Sequence, residues 1–186
     1  MRASSGTAVV LGLATGRLEV APTTAYLMVG ERCSLDCAFC AQARSSTSEA
    51  GRLSRVTWPR YPLAEVVARL ASAFGTGAIV RCCLQVTAGP GSAARTGEVV
   101  RAITAAVPVP LCVCTRAGRL GELALLLELG VERVTVALDA ANEQVYNRVK
   151  GQGWERTLDL LRGAAAAYPG HVGTHVMVGL GESEAD

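Results

Sequence analysis

Aromatic residues make up only 4% of this 186-residue chain, and charged residues only 18%. Rings cannot fill a core of that composition, so Val, Leu, Ile and Ala must build it. No run of basic residues occurs, and a formal charge of +2 is too small to point to nucleic acid. No stretch approaches the ~20 apolar residues of a membrane span. The apolar run over residues 8–14 is short and broken by glycine, with no strong basic leader and no convincing cleavage site. The expected location is therefore the cytoplasm. Half of the chain is hydrophobic, which excludes disorder as its main state.

Cysteine is present but not in a disulfide pattern. The seven thiols fall at 33/37/40, 82/83 and 112/114, too few and too oddly placed for a disulfide scaffold and better suited to reduced ligands. The stretch GERCSLDCAFCAQARSS, residues 30–46, offers three thiols and no fourth nearby. A disulfide uses two, and a structural zinc site usually takes four ligands. Cys33, Cys37 and Cys40 can grip three irons of a [4Fe–4S] cube, leaving the fourth iron open to a substrate or cofactor. A zinc site with a distant fourth ligand, or a redox pair of Cys37 and Cys40, remains open on spacing alone.

Strand-like and helix-like segments alternate along the chain. Strands are predicted over 24–29 (TAYLMV), 78–86 (AIVRCCLQV), 109–114, 132–138 (ERVTVAL) and 172–178. Helices are predicted over 62–74, where Leu63, Val66, Val67 and Leu70 recur at helical spacing, and over 95–106, 120–129 and 154–168. Five strands with helices between them imply parallel βα units and an α/β fold. A partial (β/α) barrel fits better than an open sheet, because every ligand-like residue falls at or just after a strand. Residues 1–23 read as an N-terminal extension and 24–186 as the barrel core. A barrel would continue beyond GLGESEAD, so the chain is expected to be truncated after the fifth strand, either a fragment or a subunit that a partner completes. Arg44 and the segment Arg52 to Arg55, in the one long polar connection, read as a solvated loop that could meet an acidic surface.

Alternate side chains of a strand face opposite ways, so Cys112 and Cys114 share a face while Cys82 and Cys83 cannot. The set Cys83, Gln85, Thr87 is the more polar one and is expected to point into the barrel. Adjacent strands lie ~4.8 Å apart, close enough for Cys83, Cys112 and Cys114 to share an auxiliary cluster. The alternative is that they simply fill space, as buried cysteines often do.

CxxxCxxC with Phe39 directly before its last cysteine resembles the signature of the radical S-adenosylmethionine superfamily. That resemblance implies a partial (β/α) barrel with the cysteine loop after its first strand. It implies a [4Fe–4S] cluster whose open iron is chelated by S-adenosylmethionine, and one-electron cleavage of the sulfonium to a 5′-deoxyadenosyl radical. Phe39 would lie beside the adenine. Leu138-Asp139 and the following Asn142 to Tyr146 resemble the ribose-binding stretch of biotin synthase-like members, with Asp139 accepting from the ribose hydroxyls; an N-cap role for Asp139 is the alternative. Gly179 and Gly181 resemble the glycine-rich turn on the adenosine side. Where the resemblance leads one to expect an acidic segment after the second strand this chain has QVTAG, and Thr87 is the candidate substitute for binding the methionine amino group. His175 is expected to be packed or hydrogen-bonded rather than catalytic.

Cys83 and Cys112 match auxiliary-cluster positions of biotin synthase, but Gly173 stands where a further cysteine would be, and Cys114 is extra. The segments SSGTAVVLGL, PTTAYLMVGERC, CAFCAQARSS and LSRVTWP together resemble the two-protein lipoyl synthases. The resemblance implies insertion of sulfur into an octanoyl chain on a carrier-protein lysine, a second radical subunit as partner, and a reductant such as flavodoxin or ferredoxin. A biotin synthase-like enzyme with a different reaction, and a non-catalytic metal-binding subunit, are the competing expectations.

Overall fold

Each of the five predicted strand segments enters one sheet, and their order along the chain is also their order in space. The computed structural model describes residues 1–186. Its elements are β1 (Arg2–Ala3), α1 (Ser5–Val10), β2 (Thr24–Val29), β3 (Arg52–Leu53), β4 (Val56–Thr57), α2 (Leu63–Gly75), β5 (Arg81–Val86), α3 (Ser92–Ala106), β6 (Leu111–Thr115), α4 (Leu120–Glu128), β7 (Arg133–Val136), α5 (Glu143–Lys150), α6 (Trp154–Ala167) and β8 (Val172–Gly173). The main sheet runs β1-β2-β5-β6-β7-β8. β1 lies antiparallel on β2, and every later pair is parallel.

Parallel strands laid down consecutively, each joined by a right-handed crossover, place all their helices on one face of the sheet. That face carries the main core. Ala25, Leu27, Val29, Cys82, Leu84, Leu111, Val113, Val134 and Val136 meet Val66, Leu70, Val99, Val100, Ile103, Leu123 and Ala164 of the helices there. The pattern behind it is simple. β5 alternates Cys82 and Leu84 inward to the helices with Cys83 and Gln85 outward, and α2 buries Val66, Leu70 and Ala73 at helical spacing.

The opposite face is the interior of the half-barrel. The register sets its rows: Tyr26, Cys83, Cys112 and Arg133 lie side by side, and one step further along the strands Met28, Gln85, Cys114, Thr135 and Gly173 do the same.

The sequence pattern predicts no helix at α5 (Glu143–Lys150), and three further features depart from the sequence expectation. The stretch read as an N-terminal extension supplies β1 and α1, and Ala3, Ala8 and Leu11 belong to the core. The polar connection after the cysteines folds in part into the β3–β4 ribbon, with Ser54 in the left-handed region at φ 56° and the indole of Trp58 donating to Leu53 O at 3.3 Å. The fifth strand pairs regularly only over Val172–Gly173, because the Thr174 hydroxyl intercepts the ladder: it donates to Val136 O at 2.8 Å and accepts from Leu138 N at 3.2 Å. Pairing resumes at Asp139↔Val176. Between Thr135↔Gly173 and that bridge the first strand has one residue more than the second, a bulge that brings Asp139 to the rim.

Candidate functional site

At the C-terminal ends of the parallel strands, alternate residues line a cavity of about 310 Å³: Met28 from β2, Gln85 from β5 and Thr87 just beyond it, Cys114 from β6 and Arg116 just beyond it, Ala137 and Asp139 beyond β7, and His175 and Met177 beyond β8. Cys33, Cys37, Phe39 and Cys40 close it from the loop after β2. This is the rim where (β/α) barrels gather their functional groups.

The loop begins at Gly30, whose φ of 103° turns the chain over the sheet. Backbone bonds then tie it to three regions: Cys33 N to Gln42 O at 3.0 Å, Ser34 N to Ala88 O at 2.8 Å, and Ala38 N to Val149 O at 2.8 Å. The Arg32 guanidinium donates to Ala43 O at 3.1 Å and to Ser48 O, and the buried Gln42 amide donates to Ala50 O at 2.9 Å. The three thiols are free and half-buried. Burial pushes Cys37 and Cys40 above the ordinary thiol value. No trio of His, Cys, Asp or Glu side chains gathers tightly enough for one metal ion. Three soft donors spread around one cavity instead suit a cluster that takes each thiolate on a different iron. The donor set thus fits a [4Fe–4S] group.

Asp139 holds the most constrained position in the site. Its φ is 66°, unusual for a residue with a side chain. Its Oδ2 accepts from Lys150 Nζ at 2.7 Å and its Oδ1 meets His175 Nε2 at 2.6 Å. Lys150, the chain's only lysine, is 2% exposed; it also donates to Ala137 O at 2.5 Å and Leu138 O at 3.2 Å and lies 5.0 Å from the Tyr146 ring centre. Burial pushes the Asp139 carboxyl up, but hydrogen bonds from His175 and Lys150 more than offset this and leave it below the ordinary carboxylate value. The N-cap alternative for Asp139 is overturned: Asn142 caps α5, its Oδ1 accepting from Val145 N at 2.8 Å.

The remaining predicted residues separate into two groups. Phe39 and Thr87 line the cavity; the Thr87 hydroxyl donates to Val29 O at 3.2 Å and keeps its acceptor capacity. Gly179 and Gly181 do not line it. Their turn is closed by the Glu182 carboxylate, which accepts from Gly179 N and from Leu180 N at 2.9 Å, and by Arg148, which donates to Leu180 O. Arg44 and Arg52 are exposed and pair only with Asp36 and Glu49, as expected of a solvated loop.

Cys83 and Cys112 face each other across β5 and β6, with Cys114 one step nearer the cavity. Gln85 Nε2 donates to Cys83 Sγ at 3.2 Å, and Cys112 Sγ lies 3.4 Å from Thr135 Oγ1. The close approach of Cys83 and Cys112 raises the Cys83 thiol and lowers that of Cys112, while burial pushes Cys114 up to about 12. Cys82 sits fully buried on the helix side. Lys150 and Arg116 were not picked out from sequence; a single lysine among 18 Lys and Arg residues is the signal that could have marked the first.

No curated protein matches the chain. Among solved structures, the fold is similar to the FeFe-hydrogenase maturase HydG from Carboxydothermus hydrogenoformans (20% identity, TM-score 0.67, covering 86% of this chain and 37% of that one). It is similar to methylornithine synthase PylB (15%, 0.65, 85% and 46%) and to the radical S-adenosylmethionine methyltransferase TsrM from Kitasatospora setae, solved with tryptophan and a cofactor analogue bound (19%, 0.52, 83% and 30%). The chain thus spans less than half the length of each. Residues 27–186 match the Radical SAM superfamily, which implies a [4Fe–4S] cluster and S-adenosylmethionine, and the chain belongs to that superfamily.

Proposed function

We propose that this chain reductively cleaves S-adenosylmethionine and inserts sulfur into an aliphatic chain, as the two-protein lipoyl synthases do, with an octanoyl group on a carrier-protein lysine as substrate. The observation that carries the reading is the second thiol set: Cys83, Cys112 and Cys114 share the interior face, and Cys114 reaches the cavity that Cys33, Cys37 and Cys40 line. Inserting sulfur at a saturated carbon needs a sulfur source beside the site of C–H cleavage, and three thiols on adjacent strands can hold an auxiliary iron-sulfur cluster there.

Cys33, Cys37 and Cys40 would hold a [4Fe–4S] cluster, which would supply the electron that breaks the sulfonium. The chain's own residues do the positioning. Phe39, 37% exposed, offers a ring face at the cavity for the adenine. Asp139 is held ionised by Lys150 and His175 and has lone pairs left for the ribose hydroxyls. Thr87 keeps free lone pairs at the cavity wall and would accept from the methionine amino group. Met28, Val86 and Met177 give the cavity an apolar wall that suits an alkyl chain. A second radical subunit and a flavodoxin- or ferredoxin-type reductant complete the reading.

The test is iron and acid-labile sulfide per chain after anaerobic reconstitution, with Mössbauer spectra. About eight irons indicate two [4Fe–4S] clusters; about four, lost with Cys33, Cys37 and Cys40, leave a one-cluster radical enzyme and turn the second thiol set into core. Zinc without iron ends the radical reading. Changing Cys33, Cys37 or Cys40 to Ala should each abolish deoxyadenosine formation. Changing Cys83, Cys112 and Cys114 together should spare it and end sulfur transfer.

A further inference from the structure

The charges that line the main cavity do not balance. Asp139, Lys150, Arg116 and His175 are the titratable nitrogen and carboxylate groups of its wall. Asp139 and Lys150 cancel as a buried pair, and His175 turns to the same carboxylate. The Arg116 guanidinium forms no ion pair and donates to no carbonyl, unlike Arg32 or Arg148, although Glu122 and Glu128 line a neighbouring cavity with it.

Leu35, Arg116 and Ala137 also line a second cavity of about 240 Å³, which the cysteine loop shares with the segment before α6. Its wall includes Gln152 and Arg156, and it contains no acidic residue. Arg156, like Arg116, forms no ion pair. Two exposed arginines without an ion pair line one small cavity that Val136 and Leu160 also line, a cationic recess with apolar backing. Guanidinium matches the flat fork of a carboxylate better than any other side chain does.

We propose that Arg116 and Arg156 form a carboxylate-binding subsite beside the reaction cavity, which anchors one end of the acyl substrate while its alkyl chain lies in the main cavity. The inference rests on the aliphatic-chain reading above and adds to it a polar anchor. The carboxylate belongs either to a free fatty acid or to an acidic residue next to the acylated lysine of the carrier; the chemistry at the arginines is the same.

Calorimetric titration of the reconstituted full chain separates the cases. Octanoate is compared with octanamide, and an octanoyl-lysine peptide with Glu beside the lysine is compared with its Gln counterpart. At least one acid should bind about tenfold or more tightly than its neutral partner, the scale of charge-assisted hydrogen bonds. The preference should vanish in Arg116→Gln/Arg156→Gln with iron content and far-UV circular dichroism unchanged. The small-molecule pair responding assigns the subsite to a free acid, and the peptide pair responding alone assigns it to the carrier. Equal binding within both pairs, or a preference that survives the double substitution, overturns the proposal. Iron content and deoxyadenosine formation on the same samples report separately on the radical reading. A carboxylate preference in a chain that takes up no iron sinks that reading and leaves the subsite standing.

Discussion

Removing the buried cation beside Asp139 should be among the most damaging single changes this chain can suffer. Lys150 and Asp139 have side chains only 2% and 9% exposed, and they meet at 2.7 Å. Lys150→Met keeps much of the apolar stem but leaves the carboxylate buried with His175 as its only partner, on a residue that is already at φ 66°. It also strips a donor from the carbonyls of Ala137 and Leu138. Breaking a buried pair by deleting one member costs about 3–5 kcal/mol, and the stranded carbonyls add to it, each by about 1 kcal/mol. Urea unfolding of the iron-free chain measures this directly. Asp139→Asn should cost a similar amount, and the double variant should lose clearly less than the sum, because no stranded charge remains. The pH dependence has a definite sign. Asp139 is held below its ordinary value, so its contribution is present above the unfolded carboxylate range, near pH 4, and disappears as pH falls through the folded value. In Lys150→Met the carboxyl rises instead, and protonation relieves the orphaned charge. The gap between native and variant chains should therefore be widest above about pH 5 and narrow on acidification. Additive single effects of under about 1 kcal/mol, or a gap that widens in acid, would refute the argument.

Three further changes probe how the site is supported. Gly30→Ala places a methyl group against Thr87 Oγ1 at a φ of 103°, and should destabilise by about 1–3 kcal/mol in denaturant; adding Thr87→Ala should recover the steric part but not the backbone strain. Leu84→Ala, at a fully buried position between β2 and β6, should cost about 3 kcal/mol by thermal or urea unfolding. Asn142→Ala removes the α5 cap and should cost about 1 kcal/mol. Because α5 carries Lys150, amide exchange over residues 143–150 should rise in that variant, and unchanged protection would show that the cap does not hold the helix.

The parts of the fold that follow from short-range pattern were legible in the sequence. Period-two alternation in RCCLQV placed Cys83 and Cys82 on opposite faces, and the spacing of Leu63, Val66, Val67 and Leu70 marked α2. What was not legible depends on contacts made at long range. The β3 and β4 strands are two residues each, too short to show any period, and they are held by Trp58 and the buried Gln42 amide. The short fifth strand follows from one hydroxyl, that of Thr174, whose alternative hydrogen bonds no propensity encodes. Lys150 lies in the last turn of α5, where a cation reads as a helix-dipole complement. Only the fold, which brings α5 back over the end of β7, turns it into the partner of Asp139. Asp139 itself was visible as a carboxylate at a strand end, but its constraint was not, since that comes from a bulge set by the neighbouring strand.

Strand order explains why the two thiol sets can serve one site. Consecutive parallel strands with right-handed crossovers commit every helix to one face, so the other face stays free for polar and sulfur-bearing side chains. Cys83, Cys112 and Cys114 occupy that face by parity alone; a shift of one position would bury any of them among the helices, as Cys82 is buried. The loop cysteines reach the same interior from the end of β2, because Gly30 turns the chain inward and the Ser34 and Ala38 amides tie it to the ends of β5 and α5. One set is therefore positioned by sheet register and the other by loop hydrogen bonds. Substitutions that loosen the loop should disturb Cys33, Cys37 and Cys40 while leaving the strand thiols in place. That difference in support makes the two sets separable by mutation, and makes the iron count per chain a decisive quantity.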